Sequence, residues 1–154
     1  ELKESDTVID AYSGIGTIGL TVADRVDKVL GVEVIERAVT DAQKNVANNN
    51  VKNAEFVTAD APEQMQKWKD GGLKPDVIFV DPPRRGLTED LLDAVADMNP
   101  DRFVYVSCNP ETMARDAKYL IDKGFRIKGD IQPLDQFPQT AHVEAVAVFE
   151  PINK

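Results

Sequence analysis

The sequence predicts an α/β fold: a doubly wound sheet, mostly parallel, with an antiparallel C-terminal strand pair. Three observations predict it. Short β-rich runs alternate with segments of helical spacing, the pattern of a parallel sheet covered by helices on both faces. A glycine-rich loop follows the first run and opens a helix. The last two β-rich runs have no helix between them, so they pair antiparallel at one side of the sheet.

Thr7-Val8-Ile9-Asp10 is the first strand, and Gly14-Ile15-Gly16-Thr17-Ile18-Gly19 leads from it into a helix. The second strand is Lys28–Glu33, and Ile35, Val39, Ala42 and Val46 then fall on one helical face. Ala54–Thr58 is the third strand and Asp76–Asp81 the fourth. Thr88 is placed to cap the next helix, which turns Leu91, Val95 and Met98 inward. Arg102–Ser107 is the fifth strand. Asn109 caps the helix after it, and Pro110 stands in the first turn, where a missing N–H costs nothing. Met113, Ala117 and Leu120 make that helix's inner face. Phe125–Pro133 and His142–Phe149 are the closing strands, joined by a loop over 134–141. Trp68, Phe56, Phe79 and Phe103 read as core or helix packing.

At 154 residues the chain has the size of one domain, and 42% hydrophobic residues suffice for a core. No apolar run approaches the roughly 20 residues of a membrane helix. The opening Glu1-Leu2-Lys3-Glu4-Ser5 is no secretory signal. It also lacks an initiator Met, so the chain is expected to be a piece of a longer protein. The single cysteine, Cys108, excludes an internal disulfide and a Cys-rich zinc site; no metal is expected, and a reducing, cytoplasmic setting fits. Lys and Arg total 18 against 27 Asp and Glu, a net charge of -9. So acidic a domain is a poor electrostatic trap for nucleic acid, and an RNA partner would need basic contacts from another segment.

Ligands of open α/β sheets bind outside the carboxyl ends of the strands. That edge holds Asp10 to Gly16, Glu33, Asp81 to Gly86, and Ser107 to Pro110. The glycine loop matches G-x-G-x-x-G, and Glu33 at the next strand end is placed to accept hydrogen bonds from ribose hydroxyls. A dinucleotide and S-adenosylmethionine both fit this pattern. A dinucleotide loop usually starts directly after the strand, whereas Asp10-Ala11-Tyr12-Ser13 intervenes here and resembles the first motif of the class I methyltransferases.

Asp81-Pro82-Pro83 makes a stiff loop after the fourth strand. Methyltransferases acting on exocyclic amines follow a similar triplet with an aromatic residue that stacks on the base. Here Arg84 and Arg85 follow, which disfavours that chemistry; the two arginines either hold a phosphate or are simply solvated.

Cys108 lies between a strand end and a helix start, where the helix dipole favours an anion. The plainer reading of a lone cysteine is a small buried hydrophobe; its place at the ligand edge favours a nucleophile. A thiolate beside a methyl donor suits methylation at carbon 5 of a uracil, through addition at carbon 6. A base must then remove the carbon 5 proton. Glu144 is the candidate, a carboxylate in the mostly apolar run His142–Phe149; it also reads as an exposed edge-strand residue. His142, the only histidine, suits a hydrogen-bonding role better than metal ligation.

These residues resemble the RNA uracil-C5 methyltransferases, which make 5-methyluridine in ribosomal and transfer RNA. The resemblance covers nearly the whole chain. It rests on Asp10–Gly16, Gly31-Val32-Glu33, Val80-Asp81-Pro82-Pro83-Arg84, Val104–Pro110 and Phe137-Pro138-Gln139-Thr140-Ala141-His142-Val143-Glu144. It implies a class I, Rossmann-like catalytic domain spanning 1–154 that binds S-adenosyl-L-methionine through Tyr12, Gly14, Gly16, Glu33 and Asp81. It also implies Cys108 as nucleophile and Glu144 as proton acceptor. RNA is the implied substrate, with 23S ribosomal RNA expected before tRNA because the family has more than one ribosomal branch. Three family features lie outside this sequence: a Phe-Gln motif, an N-terminal barrel used on RNA, and the cysteine cluster some members carry. A non-catalytic S-adenosylmethionine-binding module and a nicotinamide dehydrogenase are the competing readings.

Overall fold

The structure, a computed structural model, describes residues 2–154. Its elements in chain order are β1 (Thr7–Ala11), α1 (Thr17–Val22), β2 (Lys28–Glu33), α2 (Glu36–Asn48), β3 (Ala54–Thr58), α3 (Ala61–Asp70) and β4 (Val77–Val80). There follow α4 (Glu89–Met98), β5 (Arg102–Ser107), α5 (Pro110–Asp122), β6 (Phe125–Ile127), β7 (Gln132–Leu134) and β8 (Glu144–Pro151). One sheet runs in the order β3-β2-β1-β4-β5-β8-β6, with β7 also paired to β8. Strands β1 to β5 are mutually parallel. The strand order reverses between β1 and β4, which opens a crevice at their carboxyl ends.

Burial on both faces follows from the apolar alternation. Ile9, Leu30, Ile78 and Phe103 join Met65 of α3, Leu91 and Val95 of α4, and Met113 and Leu120 of α5 in the main core. Val8, Val29 and Val77 pack with Val22 of α1 on the other face. Val39 and Ala42 of α2 close over Phe56 of β3. Gly31 of β2 is small for that reason: a β-carbon there would lie 2.1 Å from the Phe56 ring. The caps follow the sequence expectation, with Thr88 Oγ1 accepting from Leu91 N–H at 3.4 Å and Asn109 Oδ1 from Glu111 N–H at 3.1 Å.

The structure departs from the sequence reading in four places. Ile35 is the N-cap of α2, not part of its buried face, and is 59% exposed. Phe79 is only half-buried, packed against the smaller cluster. Helix α3 has no counterpart in the sequence reading, because only Ala61 and Met65 of its ten residues are buried. Finally, the expected strand Phe125–Pro133 divides into β6 and β7. Ile127 faces Phe149 and Gln132 faces Val146, so the chain bulges between them, with Gly129 at φ 73. The closing strands are antiparallel as expected, but β8 sits between β5 and β6 inside the sheet.

Candidate active site

The loop after β1 is held by its own backbone. Ser13 N–H donates to Val32 O at 3.0 Å and Gly16 N–H to Ser13 O at 2.8 Å. Tyr12 sits at φ 64, a left-handed conformation uncommon for a residue with a β-carbon. Gly16 has φ 86, and a β-carbon there would lie 2.8 Å from the Phe56 ring, so both the turn and the close approach require glycine. Glu33 clamps this loop: one carboxyl oxygen accepts from Gly14 N–H and the other from Ile35 N–H, each at 3.0 Å. Gly14, Gly16 and Glu33 thus come together as the spacing predicts.

Asp10 is almost fully buried at the end of β1. Its Oδ2 accepts from Gly19 N–H in α1 at 2.8 Å. Burial lifts its pKa to about 7, the Gly19 bond opposes the rise, and the charges of Asp81 and Glu33 add to it. Asp10 Oδ1 and Ser13 Oγ are buried without a hydrogen-bond partner. Two orphaned polar atoms in the strand end and loop that the glycine motif builds make this a fitting cradle for a polar ligand.

Asp81 directly follows β4, with its N–H directed to Ala11 O. Burial raises the pKa of its carboxyl, and the charge of Glu144 raises it further. Glu144 opens β8, where Ser107 pairs with Ala145; Cys108 and Glu144 each stand one residue past that last pair. Cys108 is partly exposed and borders a cavity of about 370 Å³ with Arg84, Asn109 and His142. Arg84 Nη1 donates to His142 Nδ1 at 2.9 Å and bridges the β4 turn to the loop before β8.

Tyr12 stands apart from this group. Its ring borders a larger cavity of about 700 Å³, together with Asp60, Arg85 and Thr88. Gly14, Glu33 and Asp81 do not border that cavity. The turn after β4 separates the two spaces, with Arg84 on the Cys108 side and Arg85 on the Tyr12 side. Burial raises the Tyr12 hydroxyl to about 12, helped by the Asp60 charge.

The sequence reading missed Asp60, the Arg84–His142 bridge and Asp116. Asp60 caps α3 by accepting from Glu63 N–H, and Asp60-Ala61-Pro62-Glu63 carries the signal: a cap residue, an early proline and an acid three positions on. Nothing local marks the other two, since their partners are distant in sequence.

A family model described as tRNA (Uracil-5-)-methyltransferase matches residues 2–151. The chain belongs to that family. An RNA methyltransferase of Lactobacillus johnsonii, named as uncharacterized, is 55% identical to this chain over 154 residues; the match covers 100% of the chain and 34% of that relative. A similarly named relative in Streptococcus mutans is 54% identical over 149 residues, covering 97% and 33%. The chain therefore spans about a third of the length of the curated relatives it matches. The crystal structure of Pyrococcus abyssi tRNA (uracil-54, C5)-methyltransferase, in complex with S-adenosyl-L-homocysteine, superposes with a TM-score of 0.80 at 42% identity, over 96% of this chain and 35% of that one. Precorrin-6y C5,15-methyltransferase from Geobacter metallireducens superposes with a TM-score of 0.78 at 15% identity, over 97% and 82%, a likeness of fold alone. The doubly wound, Rossmann-like architecture expected from the sequence is the one found.

Proposed function

We propose that this chain is the catalytic domain of a longer enzyme that transfers a methyl group from S-adenosyl-L-methionine to carbon 5 of a uridine in RNA. The observation that supports the reading is the β5–β8 register: Ser107 pairs with Ala145, so Cys108 and Glu144 each stand one residue past that pair, and the Glu144 charge acts on Asp81.

S-adenosyl-L-methionine supplies an electrophilic methyl group when bound. Glu33 and the glycine loop would hold it, because each Glu33 oxygen keeps a free lone pair beyond its backbone bond. The unpartnered Asp10 Oδ1 and Ser13 Oγ suit its polar end. Tyr12 and Asp81 complete the set, Tyr12 from the adjoining cavity.

Cys108 Sγ adds to carbon 6 of the uracil, and the ring electrons move to carbon 5, which takes the methyl group as the methyl's bond to the donor sulfur breaks, that electron pair staying on the departing thioether. Glu144 then accepts the carbon 5 proton; the double bond re-forms and the carbon–sulfur bond breaks, returning the thiolate. The 370 Å³ cavity at Cys108 is of a size for a single base. The domain's charge of -9 assigns most phosphate contact to the rest of the protein. A reducing cytoplasm suits the lone thiol.

Ribosomal RNA is the substrate expected from the sequence. The name of the Pyrococcus abyssi relative favours transfer RNA as the second reading. One experiment addresses both. The full-length protein is incubated with S-adenosyl-L-methionine and 5-fluorouridine transcripts of each RNA. The fluorine cannot leave as a proton does, so a covalent protein–RNA adduct is the expected product with one transcript. An adduct that persists in Cys108→Ala overturns the proposed role of the thiol.

A further inference from the structure

The turn after β4 is not held by its own residues alone. Its backbone is bonded at several points to the start of α5, the helix that begins just after Cys108. Arg84 O accepts from Asn109 Nδ2 at 3.0 Å and from Thr112 Oγ1 at 3.1 Å. Arg115 Nη2 donates to Arg85 O at 3.0 Å and to Leu87 O at 3.1 Å. Leu87 N–H donates to Asp116 Oδ2 at 2.8 Å. Asn109, Thr112, Arg115 and Asp116 recur at the helical period, so one stripe of α5 serves the whole turn.

Asp116 is the centre of this attachment. It is 1% exposed, and the Tyr105 hydroxyl of β5 also donates to its Oδ2 at 2.8 Å. Arg115 Nε donates to Oδ1 at 2.8 Å. A buried carboxylate is tolerated only when its oxygens are satisfied, and these donors come from three different elements. The fit is close: Gly86, at φ 76, would place a β-carbon 2.6 Å from Asp116 Oδ2. Any residue other than glycine would push the turn off the carboxylate.

We infer that Asp116 is a positioning residue that fixes the spacing between the Arg84 turn and Cys108, and so the width of the cavity they share. Arg84 and Cys108 both line that cavity, and their segments meet through the Asn109, Thr112 and Asp116 bonds. The inference rests on the uridine reading for its catalytic consequence, but not for its geometry.

The test uses the full-length protein with Asp116→Asn, and the milder Tyr105→Phe and Thr112→Val in case the first does not fold. Lys118→Ala is the control, an exposed α5 residue bonded only to Asp122. Misplacement of about 1 Å at a reacting centre costs about a hundredfold, so adduct formation with 5-fluorouridine RNA is expected to slow about ten- to a hundredfold. S-adenosyl-L-methionine affinity by calorimetry is expected to fall by less than adduct formation, within about fivefold, because Glu33 and the glycine loop hold most of that site and only Asp81 and Tyr12 adjoin the turn. Iodoacetamide labelling of Cys108 is expected to change rate, with faster exchange of the Leu87 amide. Wild-type adduct and labelling rates in folded variants overturn the inference. So does a loss of cofactor affinity in step with the loss of adduct, which marks general loosening. Absence of any adduct in the wild-type protein counts against the uridine reading; labelling and amide exchange then decide the positioning role.

Discussion

Cys108 and Glu144 lie 36 residues apart in sequence, yet each stands one residue past the last pair of the β5–β8 ladder, because Ser107 of β5 pairs with Ala145 of β8 in antiparallel register. A one-residue slip of that pairing would turn Glu144 to the other face of the sheet. The buried neighbours Ala145, Ala147 and Phe149 prevent the slip, since they must stay in the main core. The proposed chemistry therefore depends on hydrophobic registration several residues away from it.

Glu144→Gln separates the two halves of the proposed reaction. The amide cannot take the carbon 5 proton, while addition and methyl transfer remain open to the thiol. Unmodified RNA is expected to accumulate as a methylated covalent complex, visible as a band of retarded mobility on a denaturing gel. Release of methylated RNA at the wild-type rate would remove Glu144 from the mechanism.

Glu33→Gln is expected to weaken S-adenosyl-L-methionine binding about ten- to a hundredfold, the range for hydrogen bonds to a charged group. Part of the loss comes from the loop itself, since Glu33 also receives the Gly14 and Ile35 amides. Calorimetry with the cofactor measures it; unchanged affinity would place the ribose elsewhere.

Asp10 makes stability fall as pH rises. Its carboxyl moves from an ordinary value of 3.8 to about 7 on folding. Between those values the folded state keeps a proton that the unfolded chain has lost. The native state is thus favoured at low pH, and the advantage disappears as pH climbs through about 7. Across the window the change is on the order of 4 kcal/mol. Asp10→Asn keeps an acceptor for Gly19 and abolishes the titration. Denaturant midpoints at pH 5 and pH 8 are expected to differ less in the variant than in the parent; equal slopes would show that Asp10 does not titrate there.

Gly31→Ala is expected to destabilise the fold by about 1–3 kcal/mol, the usual range for overpacking. The added methyl group meets the Phe56 ring. Phe56→Leu in the same chain should recover part of the loss, a non-additivity that marks direct contact. Thermal melts of the two single variants and the double variant give the coupling; strict additivity would argue against the packing described.

Much of this molecule is legible in its sequence because the signals are local. Parallel strands buried on both faces must be apolar throughout, a glycine loop must carry its glycines at set offsets, and a helix must be capped. The carboxyl-edge rule then gathers Asp10, Glu33, Asp81 and Cys108 with no knowledge of side-chain positions. Helix α3 escaped because its buried residues are too few to make a period, although its cap was written in Asp60 and Glu63. The division of β6 from β7 escaped because a bulge needs a partner strand to be a bulge. The Tyr12 ring, the Arg84–His142 bridge and the buried Asp116 were decided by tertiary structure alone. Each depends on groups brought together from distant segments, and no sequence spacing encodes which partner will find which once the core has closed.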